Sequence, residues 1–566
     1  MFYSENTELN QVYLKLKEGK LREGLHLVKQ LENKDNLTPE VALLCKVAKA
    51  DLLRLMGEIM ESIKICELIY PLFQQKGDLK SSFDVLLIQT YSYMLIANVN
   101  KSETLFKQTT DLFKTIKDKF SIDLIDRKSL LLRINAGIQY FKGEIKKFLE
   151  LNKQAHELAK ETGDKGLISA SLGNIAQAYM QMKQLDKALV SAKAAVELNY
   201  KNSFPNSLVT LIEVYVNRGE IKQAEKSLDI FHDYIKKRAT INDRSRYIYS
   251  KALILKSSLR ARNRVKSEEL FRKLALDDRY LAEYRIDALI NLCDLYLIEL
   301  RITNDLEIIN EIQPFIRELL NIAQNQHLNL ILAETYFLQA KLSILTSNIK
   351  QAQEFLTQAQ NLAESFGLEM LAMKISNEHD NLLKQTKLWK QDKDIPLVDR
   401  LELASLEEQM EYMTKKRIIE IPELSEEEPI FLLILSEGGI PIYSKSFTED
   451  DSFEDHLFGG FLTSVNAFIN EKFSEGLKRA SFGKYTLIME SVSPFLFCYV
   501  YEGQSYSALT HIKTFIDEMK ANKEVWLTFE KYYRINQVVQ KEEVPSLDSI
   551  ITKIFIQKSI PNSQLS

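Results

Sequence analysis

The sequence predicts an α-helical solenoid of antiparallel helix hairpins, followed by a small α+β domain with a five-stranded sheet. Two observations lead to this fold class. The segment from Tyr179 to Ala188 is echoed 36 residues later by the segment from Tyr215 to Ala224, which is the mark of stacked helical repeats. After residue 429, the helical spacing of apolar residues gives way to short β-rich runs separated by turn residues.

The first 388 residues carry apolar side chains three and four positions apart, with breaks every 35 to 45 residues. In the clearest unit, residues 166 to 200, Tyr179 ends the stripe of one helix and Ala188 and Ala195 lie on the facing stripe of the next. Small residues at these two positions let the helices pack closely. A large side chain at Ala188 is expected to push the pair apart.

The following unit repeats this arrangement with Tyr215 at the end of its first helix and Ala224 in its second. Gly219 lies between them, where the turn favours a residue that takes a positive φ without strain. Weaker copies elsewhere give an expectation of eight or nine irregular hairpins. Arrays of this kind usually present binding surfaces and carry no chemistry of their own.

These residues resemble the tetratricopeptide repeat family, which pairs an alanine with a bulky residue across two helices. Some members of that family hold a partner's C-terminal carboxylate through lysine, asparagine and arginine side chains in three successive hairpins. The best register places Asn174 at the middle position, with Arg133 and Gly137 before it and Asn206 and Thr210 after it. The pattern departs from the family's at most positions, so this mode of binding is not expected. Recognition of a helix or an extended peptide in the groove stays open.

Residues 389–428 are predicted to form a connecting helix and linker. Ile395-Pro396 precedes an amphipathic run, and three glutamates followed by Pro429 end the segment. The apolar side of the run carries Leu397, Leu401, Leu406, Met410 and Met413.

Residues 429–520 are predicted to fold as the sheet domain. Glycines at 438 and 439 suit a tight hairpin turn between the first two strands. The run from Phe495 to Tyr501 is apolar on both faces, which is typical of a central strand. The elements are expected at 430–436, 440–447, 477–482, 484–491 and 495–501 for strands, and at 451–473 and 505–520 for helices.

This order, together with the hairpin from Leu433 to Tyr443 and the helix from Leu457 to Asn466, resembles the longin and roadblock superfamily in its longin-type arrangement. The pairing with helical repeats is also similar to archaeal proteins, including those of the Asgard lineage. The resemblance implies binding to small GTPases, or assembly with another longin-like domain into complexes that regulate them. Residues 521–566 are predicted to be a C-terminal helical extension that packs on the sheet domain.

The helix predicted at 451–473 contains Phe458, Gly459, Gly460 and Phe461. Each glycine in a helix costs about 1 kcal/mol relative to alanine, so a compensating role is expected. Close packing of the helix on the sheet is one explanation and a flat docking surface for a partner is the other. Both alternatives remain open at the level of sequence.

Composition and charge argue against nucleic acid and anionic membranes as partners. Residues 1–428 carry 61 basic and 61 acidic side chains, and residues 429–566 carry 13 and 17, so neither part is a polycation. No apolar run is long enough to span a bilayer, and the N-terminus lacks the features of a signal peptide. The four cysteines are scattered, which fits small core residues in a reducing compartment, and a cytoplasmic location is expected.

No phosphate-binding loop, dinucleotide fingerprint, nucleophile elbow or zinc-protease motif occurs in the sequence, and the seven histidines are dispersed. The chain is therefore expected not to be an enzyme and to need no cofactor or metal. The leading hypothesis is an adaptor whose repeats bind one protein and whose sheet domain binds another, with a small GTPase as the candidate. The alternatives are a peptide- or ligand-responsive regulator and an enzyme with an unrecognised site.

Overall fold

The structure is a computed structural model of the full chain. It describes all residues except 1–6, 18–19, 35–36, 120–124, 199–202, 239–240, 259, 278, 281, 392–399, 402–403, 415–426, 437–439, 449–478, 483, 536, 541–542 and 558–566. Contacts divide the chain into two compact units. Unit 1 comprises Met1–Leu342, Leu362–Met370 and Leu397–Ile419, and unit 2 comprises Ser343–Asn361, Leu371–Pro396 and Glu420–Ser566.

Helices α1 to α19 follow one another with no strand between them in the described residues, and consecutive helices from α1 to α16 pack as eight hairpins. This confirms the predicted solenoid. A further helix, α20 (Leu406–Met413), belongs to unit 1. The bounds of the others are α1 Thr7–Lys17, α2 Leu21–Glu32, α3 Pro39–Met56, α4 Ile59–Gln75, α5 Leu79–Leu95, α6 Val99–Lys119, α7 Ile125–Phe141, α8 Ile145–Thr162, α9 Lys165–Gln181, α10 Leu185–Glu197, α11 Phe204–Asn217, α12 Ile221–Arg238, α13 Ile241–Lys256, α14 Ala261–Leu276, α15 Ala282–Thr303, α16 Ile308–Asn325, α17 Asn329–Leu345, α18 Ile349–Ser365 and α19 Glu369–Gln391.

The two echoing segments form the same turn. After α9, the Lys183 and Gln184 amides donate to the Met180 and Tyr179 carbonyls at 2.9 and 2.8 Å. After α11, the amides of Gly219 and Glu220 donate to the Val216 and Tyr215 carbonyls at 3.0 and 2.9 Å. The second residue after each helix end has a positive φ, 56° at Lys183 and 74° at Gly219, which lets the chain satisfy the last carbonyls and reverse direction.

The sheet of unit 2 is antiparallel, with the strand order β2-β1-β5-β4-β3. The five strands occur in the predicted chain order, and β5 is central, with seven of its eight residues buried. This explains why its sequence is apolar on both faces. The bounds are β1 Glu428–Ser436, β2 Pro441–Ser446, β3 Arg479–Phe482, β4 Tyr485–Val492 and β5 Phe495–Glu502.

One face of this sheet packs against the C-terminal helices, which are α21 Ser505–Ala521, α22 Lys523–Ile535, α23 Pro545–Ile551 and the π-helical turn Thr552–Ile556. Phe495, Phe497 and Tyr499 share a core with Phe515, Phe529 and Phe555 from these elements. The last two of those residues show that the C-terminal extension completes the core of unit 2. The helix predicted at 451–473 lies outside the described residues.

Candidate functional site

The residues predicted to pack the first clear repeat lie at a helix interface of unit 1. Ala188 and Ala195 on α10 are buried, as is Ala178 on the neighbouring α9. Tyr179, at the end of α9, is half-buried, and the ammonium groups of Lys153 and Lys187 lie 5.9 and 5.6 Å from its ring centroid. Close approach of α9 and α10 thus depends on residues without bulky side chains.

The second copy has the same arrangement, with Gly219 at the turn position that Lys183 occupies in the first. Tyr215 on α11 and Ala224 on α12 are buried, and Gly219 is exposed in the turn between these helices. A Cβ added at Gly219 would meet no atom within 4 Å, so its positive φ is the reason for a glycine there. These residues pack the helices of the repeats against one another.

Asn174, Arg133 and Thr210, which were compared with the carboxylate-binding positions of the repeat family, make hydrogen bonds within the repeats. The Asn174 side chain donates to Asn152 Oδ1 at 2.9 Å, and the Arg133 guanidinium donates to the Tyr91 hydroxyl at 3.5 Å. Thr210 donates to the Asn206 carbonyl at 3.2 Å. A Cβ at Gly137 would overlap the Met94 sulfur. The surface predicted to bind a partner, Phe458, Gly459, Gly460 and Phe461, lies outside the described residues.

A different site emerges around α20. This helix buries Leu406, Gln409, Met410 and Met413, which are spaced as one face of a helix, while Glu407 points outward. The repeats provide the surface around it: Arg301 of α15 and both Glu334 and Lys341 of α17 contact it, and Tyr140 of α7 lies near Tyr412. We call this surface the α20 site. Its members come from three helices that are far apart along the chain.

Polar contacts fix the position of α20 at both of its ends. The Lys341 ammonium, which is 1% exposed, donates to the Ala404 carbonyl at 2.7 Å just before the helix begins. Near the other end, the Tyr412 hydroxyl hydrogen bonds with the buried Glu334 carboxylate. On the rim, Arg301 pairs with Glu407 at 3.1 Å.

The α20 site is electrostatically specific. Burial, together with the Glu334 carboxylate and the nearby Tyr140 hydroxyl, raises the pKa of Tyr412 well above its ordinary value. Buried charges are costly unless they are paired and hydrogen-bonded. The Glu334 and Lys341 side chains therefore favour an occupant that offers a hydroxyl donor and a free backbone carbonyl at the matching distance.

The docked α20 is locally unfavourable in two respects. Ser405, which precedes it, has φ 42° and ψ 42°, a left-handed conformation that costs a non-glycine residue about 1 kcal/mol or more, and it makes no side-chain cap. The Gln409 side chain is completely buried, and among the described residues neither Oε1 nor Nε2 has a hydrogen-bond partner. Tertiary contacts, and not local preference, hold this helix in place.

The repeats of unit 1 also contact one another over long sequence distances. Asn100 Nδ2 donates to the Ser365 carbonyl at 2.9 Å across 265 residues, and Asn329 Nδ2 donates to the Ile96 carbonyl at 2.9 Å across 233. Lys142 pairs with Glu103 at 3.0 Å and with Glu369 at 3.8 Å. These contacts join early and late hairpins close to Tyr140 and Glu334, and so fix the two sides of the α20 site relative to each other.

Unit 2 contains a buried polar network around Asp380 of α19. The Arg479 guanidinium at the start of β3 donates to Asp380 Oδ1 at 3.0 Å and to the Ser376 carbonyl at 3.2 Å. The Ser505 amide, at the first turn of α21, donates to Asp380 Oδ2 at 3.0 Å. The carboxylate thus neutralises a buried cation and caps a helix N-terminus. Neither residue stands out in the sequence, because their separation of 99 positions leaves no local pattern.

The described residues form no candidate metal site, and their cysteine thiols are buried. They contain no group of three or more histidine, cysteine or acidic side chains that is able to hold a metal ion. Burial raises the pKa of Cys45 to about 11 and that of Cys66, Cys293 and Cys498 to about 12, which leaves each thiol protonated and unreactive near neutral pH. Among the helices described, none is long and apolar enough to cross a membrane.

No family model and no curated protein matches this chain. Solved structures with a similar fold include a Rap protein complexed with competence and sporulation factor, which is 12% identical over 72% of this chain and 98% of that one, with a TM-score of 0.43. NprR in complex with its cognate peptide NprX is 15% identical over 67% of this chain and all of that one, with a TM-score of 0.37.

Aspartyl phosphate phosphatase F from Bacillus subtilis is 13% identical over 57% of this chain and 95% of that one, with a TM-score of 0.33. At these values, the likenesses carry no argument about function. The repeat architecture rests on the helices of this chain itself.

Proposed function

We propose that this protein is an adaptor whose repeat array binds an amphipathic helix of one partner protein and whose sheet domain binds a second protein. The observation that carries the proposal is the α20 site. There, a helix from outside the hairpins contacts side chains of α15 and α17, and Tyr140 of α7 lies nearby. Laying the apolar face of a helix into a groove is a recurrent mode of protein recognition.

The length of α20 supports this reading. An isolated helix of eight residues is not stable in water, because nucleation is costly and few hydrogen bonds repay it. The α20 site must therefore supply the free energy that keeps these residues helical. A surface with this capacity is suited to ordering a segment of another protein as well.

The proposal for unit 2 is a second protein partner, with a small GTPase or another longin-like domain as the candidates. The resemblance of residues 429–520 to the longin and roadblock superfamily supports it, and the chain order of the five strands agrees with that resemblance. We also propose that the protein is cytoplasmic and not an enzyme. Four free, buried cysteines with protonated thiols are consistent with both statements.

Crosslinking of the full-length protein in native lysate, followed by mass spectrometry, tests the adaptor function. The experiment compares wild type with a Glu334→Gln/Lys341→Met variant, each with and without a non-hydrolysable GTP analogue. We expect the variant to lose one crosslinked partner while another, attached to residues 479–556, is retained. If both proteins recover the same partners on unit 1, or if neither recovers any, the proposed function is wrong.

A peptide-responsive regulator is the second candidate, and the unsatisfied Gln409 side chain favours it, because an imperfectly held helix is easy to displace. Thermal shift of the full-length protein with peptide extracts distinguishes the two candidates. A rise in Tm with peptides alone, without any crosslinked protein partner, supports the regulator.

A further inference from the structure

We infer that α20 is an internal copy of the ligand of the repeat array, and that it occupies the α20 site until a partner helix replaces it. This inference rests on the proposed function and specifies the chemistry of the partner. The occupant is an amphipathic helix with large apolar residues at the positions of Leu406, Met410 and Met413, and with a hydroxyl at the position of Tyr412.

The apolar spacing defines the first part of this recognition. Leu406, Met410 and Met413 lie at positions i, i+4 and i+7 and are at most 3% exposed. Methionine adapts its shape to irregular surfaces and is common at sites that bind more than one sequence. A surface that accommodates two methionines therefore suits a related apolar side chain from another protein.

The polar contacts define the second part. Glu334 and Lys341 lie on one face of α17, and each is at most 4% exposed while α20 is docked. Glu334 contacts Tyr412 and Lys341 contacts the Ala404 carbonyl. A bound helix must therefore place its hydroxyl and its free carbonyl at the same separation as these two groups. An amphipathic helix without the hydroxyl, or shifted by one residue, leaves a buried charged group with fewer partners and binds more weakly.

Gln409 shows why α20 is replaceable. Its side chain occupies position i+3 of the buried face, and neither polar atom has a partner in the part of the chain that the structure describes. An apolar residue of similar size would fit that environment better. The self-ligand is weaker than the site allows. Its tether compensates, because linkage to the same chain gives an effective concentration of about millimolar. A partner helix with leucine at this position is able to compete.

Fluorescence anisotropy with the full-length protein tests the inference. The probe is a labelled synthetic peptide with the sequence of residues 400–414 carrying Gln409→Leu. Four proteins are compared: wild type, a Leu406→Glu/Met410→Glu variant that releases its own α20, a Gln409→Leu variant that holds α20 more tightly, and a control with Val190→Glu and Val265→Glu. The two control positions are exposed on α10 and α14 and add the same charge away from the site.

The release variant is expected to bind the probe about tenfold or more tightly than wild type, because the apparent Kd is the intrinsic Kd divided by the fraction of open sites. The Gln409→Leu protein is expected to bind it about tenfold more weakly than wild type, and the control is expected to match wild type. Adding Glu334→Gln and Lys341→Met to the release variant is expected to abolish the gain. Circular dichroism confirms that each protein retains its helices.

Equal affinity of wild type, release and Gln409→Leu proteins for the probe would overturn the inference, as would a gain that survives loss of Glu334 and Lys341. These outcomes are separate from the crosslinking test. A release variant that binds the probe but captures no protein from lysate contradicts the proposed adaptor, while self-occupation of the site stands. A partner captured at α17 without competition from the probe supports the adaptor and contradicts the self-ligand.

Discussion

Single residues with positive φ form the turns of the array, and two glycines show different reasons for their identity. Gly219 has φ 74° with open space around it. Gly143 has φ 82°, and a Cβ there would overlap Cγ of Met370, which approaches from a hairpin far along the chain. At Gly219 only the positive φ of the turn requires a glycine. At Gly143 the close packing of Met370 requires one as well.

Replacing these glycines by alanine separates the two effects. Gly219→Ala is expected to lower the free energy of unfolding by about 1 to 2 kcal/mol, the cost of a left-handed alanine. Gly143→Ala is expected to cost roughly 1 to 3 kcal/mol more, because Met370 must also move. Urea denaturation measures both. Gly163→Ala, at φ 67° in open space, is the control for backbone strain, and equal losses at all three positions would contradict the packing argument.

His379 on α19 makes the stability of unit 2 depend on pH. Burial, and then the charge of Arg479, hold the pKa of this imidazole well below its ordinary value of 6.5. The unfolded chain binds a proton below that pH and the folded chain does not. The stabilisation is therefore complete above about pH 6.5 and is lost as the pH falls towards the folded pKa.

Between pH 6.5 and 5, this histidine is expected to lower the free energy of unfolding by up to about 1.4 kcal/mol per pH unit. In His379→Gln the slope over this window is expected to be flatter. Glu427 does not interfere: although burial opposes it, the hydrogen bonds from His511 and Ser507 hold its pKa below the ordinary 4.5, so its contribution is lost only in more acidic solution. Urea titrations at several pH values measure the slope. The same slope in wild type and His379→Gln would show that His379 does not cause the pH dependence.

At the scale of elements, pairs of helices in the array are held by small residues. Ala188→Leu is expected to lower the free energy of unfolding by about 1 to 3 kcal/mol, because the added atoms find no space between α9 and α10. Val190→Leu on the same helix is the control, since that side chain is 70% exposed. Thermal denaturation compares the two, and similar Tm values would show that α9 and α10 tolerate wider spacing.

The second element-scale prediction concerns the attachment of α19 to the sheet of unit 2. Asp380→Ala leaves the Arg479 guanidinium buried without its carboxylate and the α21 N-terminus without its acceptor. The expected loss is about 3 to 5 kcal/mol. Asp517→Ala, at an exposed position of α21, is expected to change the free energy of unfolding by less than about 0.5 kcal/mol. Chemical denaturation measures both free energies of unfolding. Equal values for the two variants would show that Asp380 does not attach α19 to the sheet.

At the scale of the whole molecule, the two units interleave along the chain. Residues 371–396 belong to unit 2, although they precede residues 397–419 of unit 1. A fragment that starts at residue 420 therefore contains the sheet but lacks Asp380. The predicted boundaries at 388 and 428 follow changes in sequence pattern, whereas the compact units follow contacts.

Two fragments test this organisation. Residues 371–566 are expected to be more stable to urea than residues 420–566, by roughly the 3 to 5 kcal/mol expected for the lost ion pair. Asp380→Ala in the longer fragment is expected to remove most of the difference. If the shorter fragment unfolds at the same urea concentration as the longer one, α19 is not part of the folding unit.

Much of the fold follows from local pattern. The echo at Tyr179 and Tyr215 predicts the hairpins because each repeat forms the same turn, and the alternation from β-rich runs to helices predicts the order of the sheet elements. Only one of the two surfaces that meet at the α20 site, the apolar face of the helix, could be predicted from the sequence. The spacing of Leu406, Met410 and Met413 indicates a helix with one apolar face, but nothing in those residues indicates which surface covers it.

The sequence by itself therefore determined the repeat class, the turns and the succession of strands along the chain, because each of these depends on residues within about 40 positions of one another. Only the tertiary structure decided that Lys341 and Glu334 hold α20, that Asn100 meets Ser365, and that Asp380 caps α21. The physical reason is that one hydrogen bond or ion pair between distant segments requires only two compatible side chains. Such a pair imposes no period on the sequence, and folding alone brings its members together.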